Sequence, residues 1–326
     1  MGECLLVRRG GGKAALKGIS VKTPPAKLEY LAGDTFDPTG LVLTANVGGV
    51  PVDVTTGYTV TPDPLTADTT AVTISYTLDG KTATTAQAVT VKAYNPVFAN
   101  NTWEKIIEAC EAGIASQLWA VGDVSPVLAL YNYEYQFRII GFDHDNLADT
   151  DAKYDDTSYN NGKRKAAMTL DIVKIAKLQN SYQYQGNGSL AGAWWARSQV
   201  RNTTLPTIKS ALPETVRNAI RTVVKKTYWD SDYDTLSATK DELFFPSTDE
   251  ISNRGKGEGT EYAYYLAGNS KAKELIDKTT VGSYQLRSPY KNGPATYSVA
   301  YVTAQNTIYG SDYNSSMSYL SFAFCL

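Results

Sequence analysis

The 326-residue chain is poor in the side chains from which most reaction centres are built. It has one histidine, His144, and three cysteines, Cys4, Cys110 and Cys325. A single imidazole severely limits any catalytic scheme based on histidine. Three thiols, odd in number and far apart, fit neither a zinc spacing nor a disulfide framework. They point to assembly in a reducing cytoplasm. Cys110 falls in an apolar helical stripe and Cys325 in an apolar strand, where a free thiol acts as a small hydrophobe. An excess of one charge is missing as well: 31 Lys and Arg face 33 Asp and Glu, for a net charge of −2. That excludes the electrostatic footprint of a nucleic-acid or anionic-membrane binder. The densest basic cluster, Lys163-Arg164-Lys165, reads as a solvated loop. No apolar run approaches the roughly 20 residues that cross a bilayer. Cys4-Leu5-Leu6-Val7 is too short for a secretory signal, and Arg8-Arg9 follows it instead of preceding it.

The length suffices for two domains with a core in each. Residues 1–17 read as an attachment segment, with Gly10-Gly11-Gly12 as a flexible joint. Residues 18–93 carry short alternating runs such as Leu41–Ala45, Val52–Thr55, Val72–Tyr76 and Ala88–Val91, rich in Val, Ile and Thr. Turn signals separate them, among them Thr23-Pro24-Pro25, Gly48-Gly49 and Asp79-Gly80. Period-two strands of this length predict an all-β antiparallel sandwich. Tyr94-Asn95-Pro96 is a break, and residues 97–326 change pattern. Asn101, with Glu104 three residues on, predicts a helix N-cap, and Trp103, Ile106, Ile107, Cys110 and Ile114 form its stripe. Tyr133–Ile140 alternates as a strand. Pro213–Lys226 reads as a helix, with Lys225 and Lys226 complementing its dipole. Helices among strands predict an α+β second domain.

The most informative stretch is the tail, residues 284–326. It holds seven of the 23 tyrosines, interspersed with serine and asparagine, and ends on the apolar run Leu320–Cys325. Tyrosine offers a large rigid contact area at low entropic cost, and Ser and Asn add adaptable hydrogen bonding. Ligand-binding candidates are Tyr290, Asn292, Tyr297, Tyr301, Asn306, Tyr309, Asp312, Tyr313, Asn314, Ser315, Ser316 and Tyr319. Val299, Val302, Ile308, Leu320, Phe322 and Phe324 alternate with them as scaffold. The competing reading is that the tyrosines fill the periphery of an ordinary core.

Three resemblances follow. Ile19–Val21, Thr23–Pro25, Tyr30, Gly33–Asp37, Gly40-Leu41, Gly57–Val60 and Val72–Tyr76 resemble the bacterial immunoglobulin-like domains of surface and phage tail proteins. The second lies in an ordered series of motifs: Gln117–Asp123, Ile139–Asp145, Trp194–Ser198, Leu212-Pro213, Leu243–Ile251, Tyr262–Tyr265, Leu286–Pro289 and Phe322–Cys325. From Phe98 to Leu326 these resemble uncharacterised domains of gut bacteria and their phages. Those domains are similar to the C-type-lectin-like fold of formylglycine-generating enzymes and of the variable proteins of diversity-generating retroelements. Cys4–Gly12 resembles the start of tail-associated phage proteins. Two departures stand out: Tyr284 occupies a position more often tryptophan, and Ser321 one that is usually arginine.

The resemblance implies a non-enzymatic host-receptor-binding protein of a phage virion, on tail or capsid, assembled in the host cytoplasm as a homotrimer. Its partners would be a host cell-surface protein or glycan and, through residues 1–17, other virion proteins. It also implies that adenine mutagenesis could diversify the tail. No nucleic acid, membrane insertion, cofactor or metal is expected. Three alternatives stay open: a virion decoration or tail-spacer protein, a bacterial surface adhesin, and a formylglycine-generating-type enzyme. The last lacks its reactive cysteine pair, since Cys325 is alone in the tail. Asp143-His144-Asp145 reads as a turn before a metal or acid–base cluster, and Trp229–Asp232 only superficially resembles a calcium motif of lectins.

Overall fold

The structure, a computed structural model, describes residues 14–177, 195–228, 235–291, 297–312 and 319–326. The chain divides into two compact units, Met1–Tyr94 and Asn95–Leu326. Of the expected attachment segment, residues 1–13 lie outside the described residues, as does the Trp229–Asp232 motif.

The described part of the first unit is all-β. Strands β1 (Leu16–Thr23), β3 (Val42–Val47) and β4 (Val50–Val54) form one antiparallel sheet. β5 (Tyr58–Thr61), β6 (Ala71–Leu78) and β7 (Lys81–Ala88) form another. In β6, Val72 and Ile74 are fully buried while Ala71 and Thr73 face out, the alternation of a half-buried strand. Both sheets contribute to one core with Leu43, Leu65 and Tyr30. Asp79 and Gly80 both take positive φ, 49° and 75°, in the two-residue turn between Leu78 and Lys81. That is the primed turn whose twist suits a tight hairpin. The run expected as one strand from Ala88 to Val91 is divided. β7 ends at Ala88, and β8 (Thr90–Lys92) pairs in parallel with β2 (Glu29–Leu31). The chain changes partners at Val89, whose N–H bonds to the Thr70 carbonyl.

The second unit mixes helices and strands. Its central sheet runs β11 (Phe137–Phe142), β12 (Met168–Ile172), β23 (Ala323–Cys325) and β16 (Leu243–Phe244), all antiparallel. The terminal apolar run is therefore an interior strand, and every residue of β12 and β23 is buried. Such strands read as continuous hydrophobic runs because both faces are covered. The Phe137 ring meets Phe322 and Phe324 at 5.7 and 4.9 Å.

Three sequence expectations are corrected here. Helix α1 (Trp103–Glu111) is capped by Thr102, whose hydroxyl accepts from the Lys105 N–H. Asn101 instead donates to the carbonyls of Asn95, Val97 and Phe98, tying down the preceding turn. The alternating run at Tyr133–Ile140 breaks at Gln136 into β10 (Tyr133–Tyr135) and β11, which belong to different sheets. The largest correction concerns Pro213–Lys226. A helix spans only Glu214–Ala219, and Val223–Tyr228 is strand β14, paired with β15 (Leu236–Asp241). The β-branched Thr222-Val223-Val224 run, poor helix formers that suit a pleat, explains the switch. In β14, Val223, Lys225 and Thr227 point inward and Lys226 outward.

Placing Phe324 in an interior strand carries a measurable consequence. Phe324→Ala should cost roughly 3–5 kcal/mol, read as a drop in the urea midpoint of the full chain. A shift no larger than that of Leu266→Ala, at a residue 70% exposed, would contradict that placement.

Candidate functional site

Strands β19 (Tyr284–Lys291), β20 (Tyr297–Val302) and β21 (Ile308–Asp312) form an antiparallel sheet that carries most of the described tail tyrosines. Tyr301 and Tyr309 sit directly opposite one another. Tyr309 is 54% exposed and Tyr301 half-buried. Val302 and Ile308 are buried on the face opposite the tyrosine pair. Ala300 is buried too, and Val299, two residues from Tyr301, is buried on the same face as that ring. The expected alternation of scaffold and display positions therefore holds only in part. Tyr290 is separate. Its ring lies over Gly310, where an added Cβ would come within 2.2 Å of it. Gly310 pairs with Ala300, and successive residues alternate faces, so Tyr290 lies on the face opposite the Tyr301–Tyr309 pair. Tyr319 is half-buried on a short strand that pairs with Ala176-Lys177.

Asn306 is a turn residue with a structural task. Its φ is 64°, and its carboxamide oxygen accepts from the Lys271 and Ala272 N–H groups at 2.7 and 3.1 Å. Asn292, Tyr313, Asn314, Ser315 and Ser316, and the side chains of Tyr297 and Asp312, lie outside the described residues. Tyr284, one of the seven tail tyrosines, is a core residue: it is 1% exposed and donates to the Lys271 carbonyl.

The sheet is anchored by a buried ionic network. Lys225 is 1% exposed. Its ammonium uses all three donors: on Asp145, on Glu250 at 3.1 Å and on the Tyr262 hydroxyl at 2.7 Å. Asp145 also accepts from Tyr262 at 2.9 Å, from Thr169 at 2.6 Å and from the Cys325 thiol. Glu250 belongs to helix α5 (Thr248–Ser252) and forms a reciprocal capping box with Ser247. Its second oxygen takes the Arg287 guanidinium at 2.5 Å. Arg287, on β19 and fully buried, donates further to the carbonyls of Phe245 and Glu258. Its neighbour Ser288 donates to the Glu258 carboxyl.

The network reaches the tyrosine sheet through a β-bulge. Gln285 pairs with Tyr301 and Pro289 with Val299, so four steps along β19 match two along β20. The excess residues turn Arg287 and Ser288 inward, as bulges re-aim side chains. Gly259, at φ +152°, lets the backbone pass Glu250 where a Cβ would come within 2.8 Å.

Burial alone would raise the Asp145 carboxyl, but the Lys225 ammonium and the His144 ring overcome it and hold Asp145 well below the usual range. Glu250 behaves alike, with Arg287 and Lys225 outweighing burial. Glu258 goes the other way: burial dominates and raises it, despite bonds from Ser288 and Tyr228. Burial also pushes up the Cys110 and Cys325 thiols, the reverse of an activated thiolate. Asp143-His144-Asp145 does not converge as a whole. Only Asp143 stands apart, turned to Asn160 and Lys163. His144 packs at a tilt on Tyr262, bonds to Thr260 and brings Nδ1 to 3.6 Å from the Asp145 carboxylate. Among the described residues no group of three or more His, Cys, Asp or Glu is arranged to hold a metal ion.

Sequence reasoning does not bring Lys225, Glu250, Glu258 and Arg287 together as a network. One signal was present: Ser247-Thr248-Asp249-Glu250 is a capping-box pattern that should have placed α5 and Glu250. Lys225 was hidden by its misassignment to a helix end.

The opposite shifts predict opposite responses. Asp145 and Glu250 stabilise the fold fully above their ordinary values of 3.8 and 4.5. That contribution is lost as pH falls through their lowered values. Glu258 contributes most below 4.5 and loses its contribution as pH rises through its raised value. At neutral pH, Glu250→Gln should therefore cost roughly 3–5 kcal/mol by leaving Lys225 and Arg287 undercompensated. Glu258→Gln should change stability by about 1 kcal/mol or less. Equal losses in urea unfolding at pH 7 would refute the distinction.

No curated protein matches this chain. Residues 168–326, from the start of β12 to the carboxyl terminus, match a family described as a domain of unknown function, DUF6273. The matched stretch contains Lys225, Glu250, Glu258 and Arg287, whereas Asp145 precedes it. In its second half the chain is thus similar to DUF6273, within a compact unit that begins upstream at Asn95.

Proposed function

We propose that this chain is a host-attachment protein of a phage virion. Its first unit is an immunoglobulin-like spacer, and its second a C-type-lectin-like domain that recognises a host-surface protein or glycan without chemistry of its own. The observation that carries the reading is the facing Tyr301–Tyr309 pair, with Tyr309 exposed and Tyr301 half-buried, on a hairpin supported by the buried Val299, Ala300, Val302 and Ile308. Solvent-facing aromatics on a stiff support are suited to act as anchors, each contributing about 2 kcal/mol or more where it is buried by a partner. Residues at these two positions lie on the face opposite Val302 and Ile308, so they can change while those two stay packed, which is what a diversified surface requires. Several copies per particle, in trimers, would convert modest single-site affinity into firm attachment.

The buried state of the ionisable groups supports recognition over catalysis. Asp145, Lys225, Glu250 and Arg287 are each at most 8% exposed and fully occupied with one another. They offer a substrate no open side.

The test is capture of surface extract from Gram-positive gut bacteria by the immobilised full chain. Tyr301→Ala/Tyr309→Ala should reduce capture at least tenfold while the urea midpoint stays near that of the unaltered protein. Undiminished capture would remove the tyrosine pair from the binding surface.

A further inference from the structure

A cleft of about 430 Å³ opens in the second unit, away from the residues assigned above. One wall is the π-helical turn Val200–Thr204, which runs directly into helix α3 (Leu205–Ala211). The other is the end of β15 with Glu242 and Leu243. Its volume falls within the roughly 300–1,000 Å³ typical of small-molecule sites. A π turn breaks the regular helical ladder at a cost, and such turns concentrate at functional sites.

The charges of the walls cancel in pairs. Arg201 meets Asp241 at 2.6 Å, Lys209 meets Glu242 at 2.6 Å, and Lys240 meets Asp149 at 2.5 Å. A phosphate, sulfate or metal cation would find no uncompensated partner. What the walls do offer is a dense, pre-set array of donors and acceptors. Arg201 is clamped by Asp241 and by the Lys240 carbonyl, and Asp241 is itself held by Trp195 and Thr239. Asn202 is fixed on the carbonyls of Ala196 and Ser198. Leu205, Pro206 and Leu243 add aliphatic surface between these groups. An array of fixed polar groups with no net charge and an aliphatic floor matches a ligand that has many hydroxyls and one C–H face.

We propose that this cleft binds a neutral hexopyranoside, as a site separate from the tyrosine sheet. Lys209 and Glu242 supply the polar contacts, and the exposed Pro206, with the edges of the buried Leu205 and Leu243, underlies the sugar ring. The site stands or falls independently of the attachment function.

The test uses the full chain and three probes: methyl α-glucopyranoside, methyl β-galactopyranoside and N-acetylglucosamine, each titrated and followed by saturation-transfer NMR. At least one should bind saturably, and Lys209→Ala/Glu242→Ala should weaken its Kd at least tenfold. That pair is partly exposed, so its removal should leave the urea midpoint nearly unchanged. Thr150→Trp, at an exposed position on the mouth, should cause the same loss by occupying the space. Tyr301→Ala/Tyr309→Ala should leave sugar binding unaltered. The proposal fails if no probe binds saturably, or if binding survives both cleft variants. It fails equally if inorganic sulfate displaces the sugar at equal concentration, or if the tyrosine variant abolishes binding.

Discussion

A single ammonium group, that of Lys225, is the constraint around which the second unit is organised. An ammonium this deep in the interior would cost several kcal/mol in desolvation if left alone. Every donor must therefore find an acceptor, and three different parts of the chain supply them: the loop after β11, helix α5 and the residues following the Asn253–Thr260 loop. Asp145 and Glu250 neutralise it, and Glu250 in turn requires Arg287 to occupy its second oxygen. The requirement propagates to Ser288 and Glu258, although His144 Nδ1 and Gln285 Nε2 stay buried without a hydrogen-bond partner. No member can be moved alone.

Such a network is weak evidence for stability, because a well-packed apolar replacement can do as well or better. Its clearer effect is on register. β19 would pair with β20 at ordinary spacing if Leu286–Ser288 did not leave the ladder, and only the pull on Arg287 and Ser288 gives those residues a reason to leave it. A slip of one residue would turn every side chain of the sheet over. The ionic pairs therefore bear on how β19 meets β20, whereas the pairing of Tyr301 with Tyr309 is set in the β20–β21 ladder.

Much of this was legible in the sequence, for physical reasons that vary with the element. The alternation of Val72 and Ile74 with outward neighbours follows directly from the pleat, so β6 is legible as a strand. In β20, by contrast, Val299 and Ala300 are both buried and alternation marks no display face. The terminal Phe322–Cys325 run was legible as a strand because it is apolar without helical period. Lys225 was not legible. Two lysines after an apolar helical stripe look like a dipole-complementing end, and only the strand alternation of β14 shows that one is inside and the other outside. Tyr284 was misleading for a related reason. Tyrosine is amphipathic, and composition cannot tell a ring whose hydroxyl has found the Lys271 carbonyl from one facing water. Asn306 shows the same limit: an asparagine in a polar tail serves a turn as readily as a ligand.

The division of labour between interior and surface bears on how this unit could change its specificity. Residues that hold the sheet in place, Arg287, Ser288, Glu250 and Lys225, come from sites in sequence distinct from those that display rings, and they bond to one another. Replacement of Tyr301 or Tyr309 by serine, aspartate or asparagine removes contact area at the surface without stranding a buried charge. The same replacement at Tyr284 would leave the Lys271 carbonyl unmatched and a void in the core. Tolerance of change therefore falls sharply between adjacent tail tyrosines. It follows the burial of each ring rather than distance along the chain.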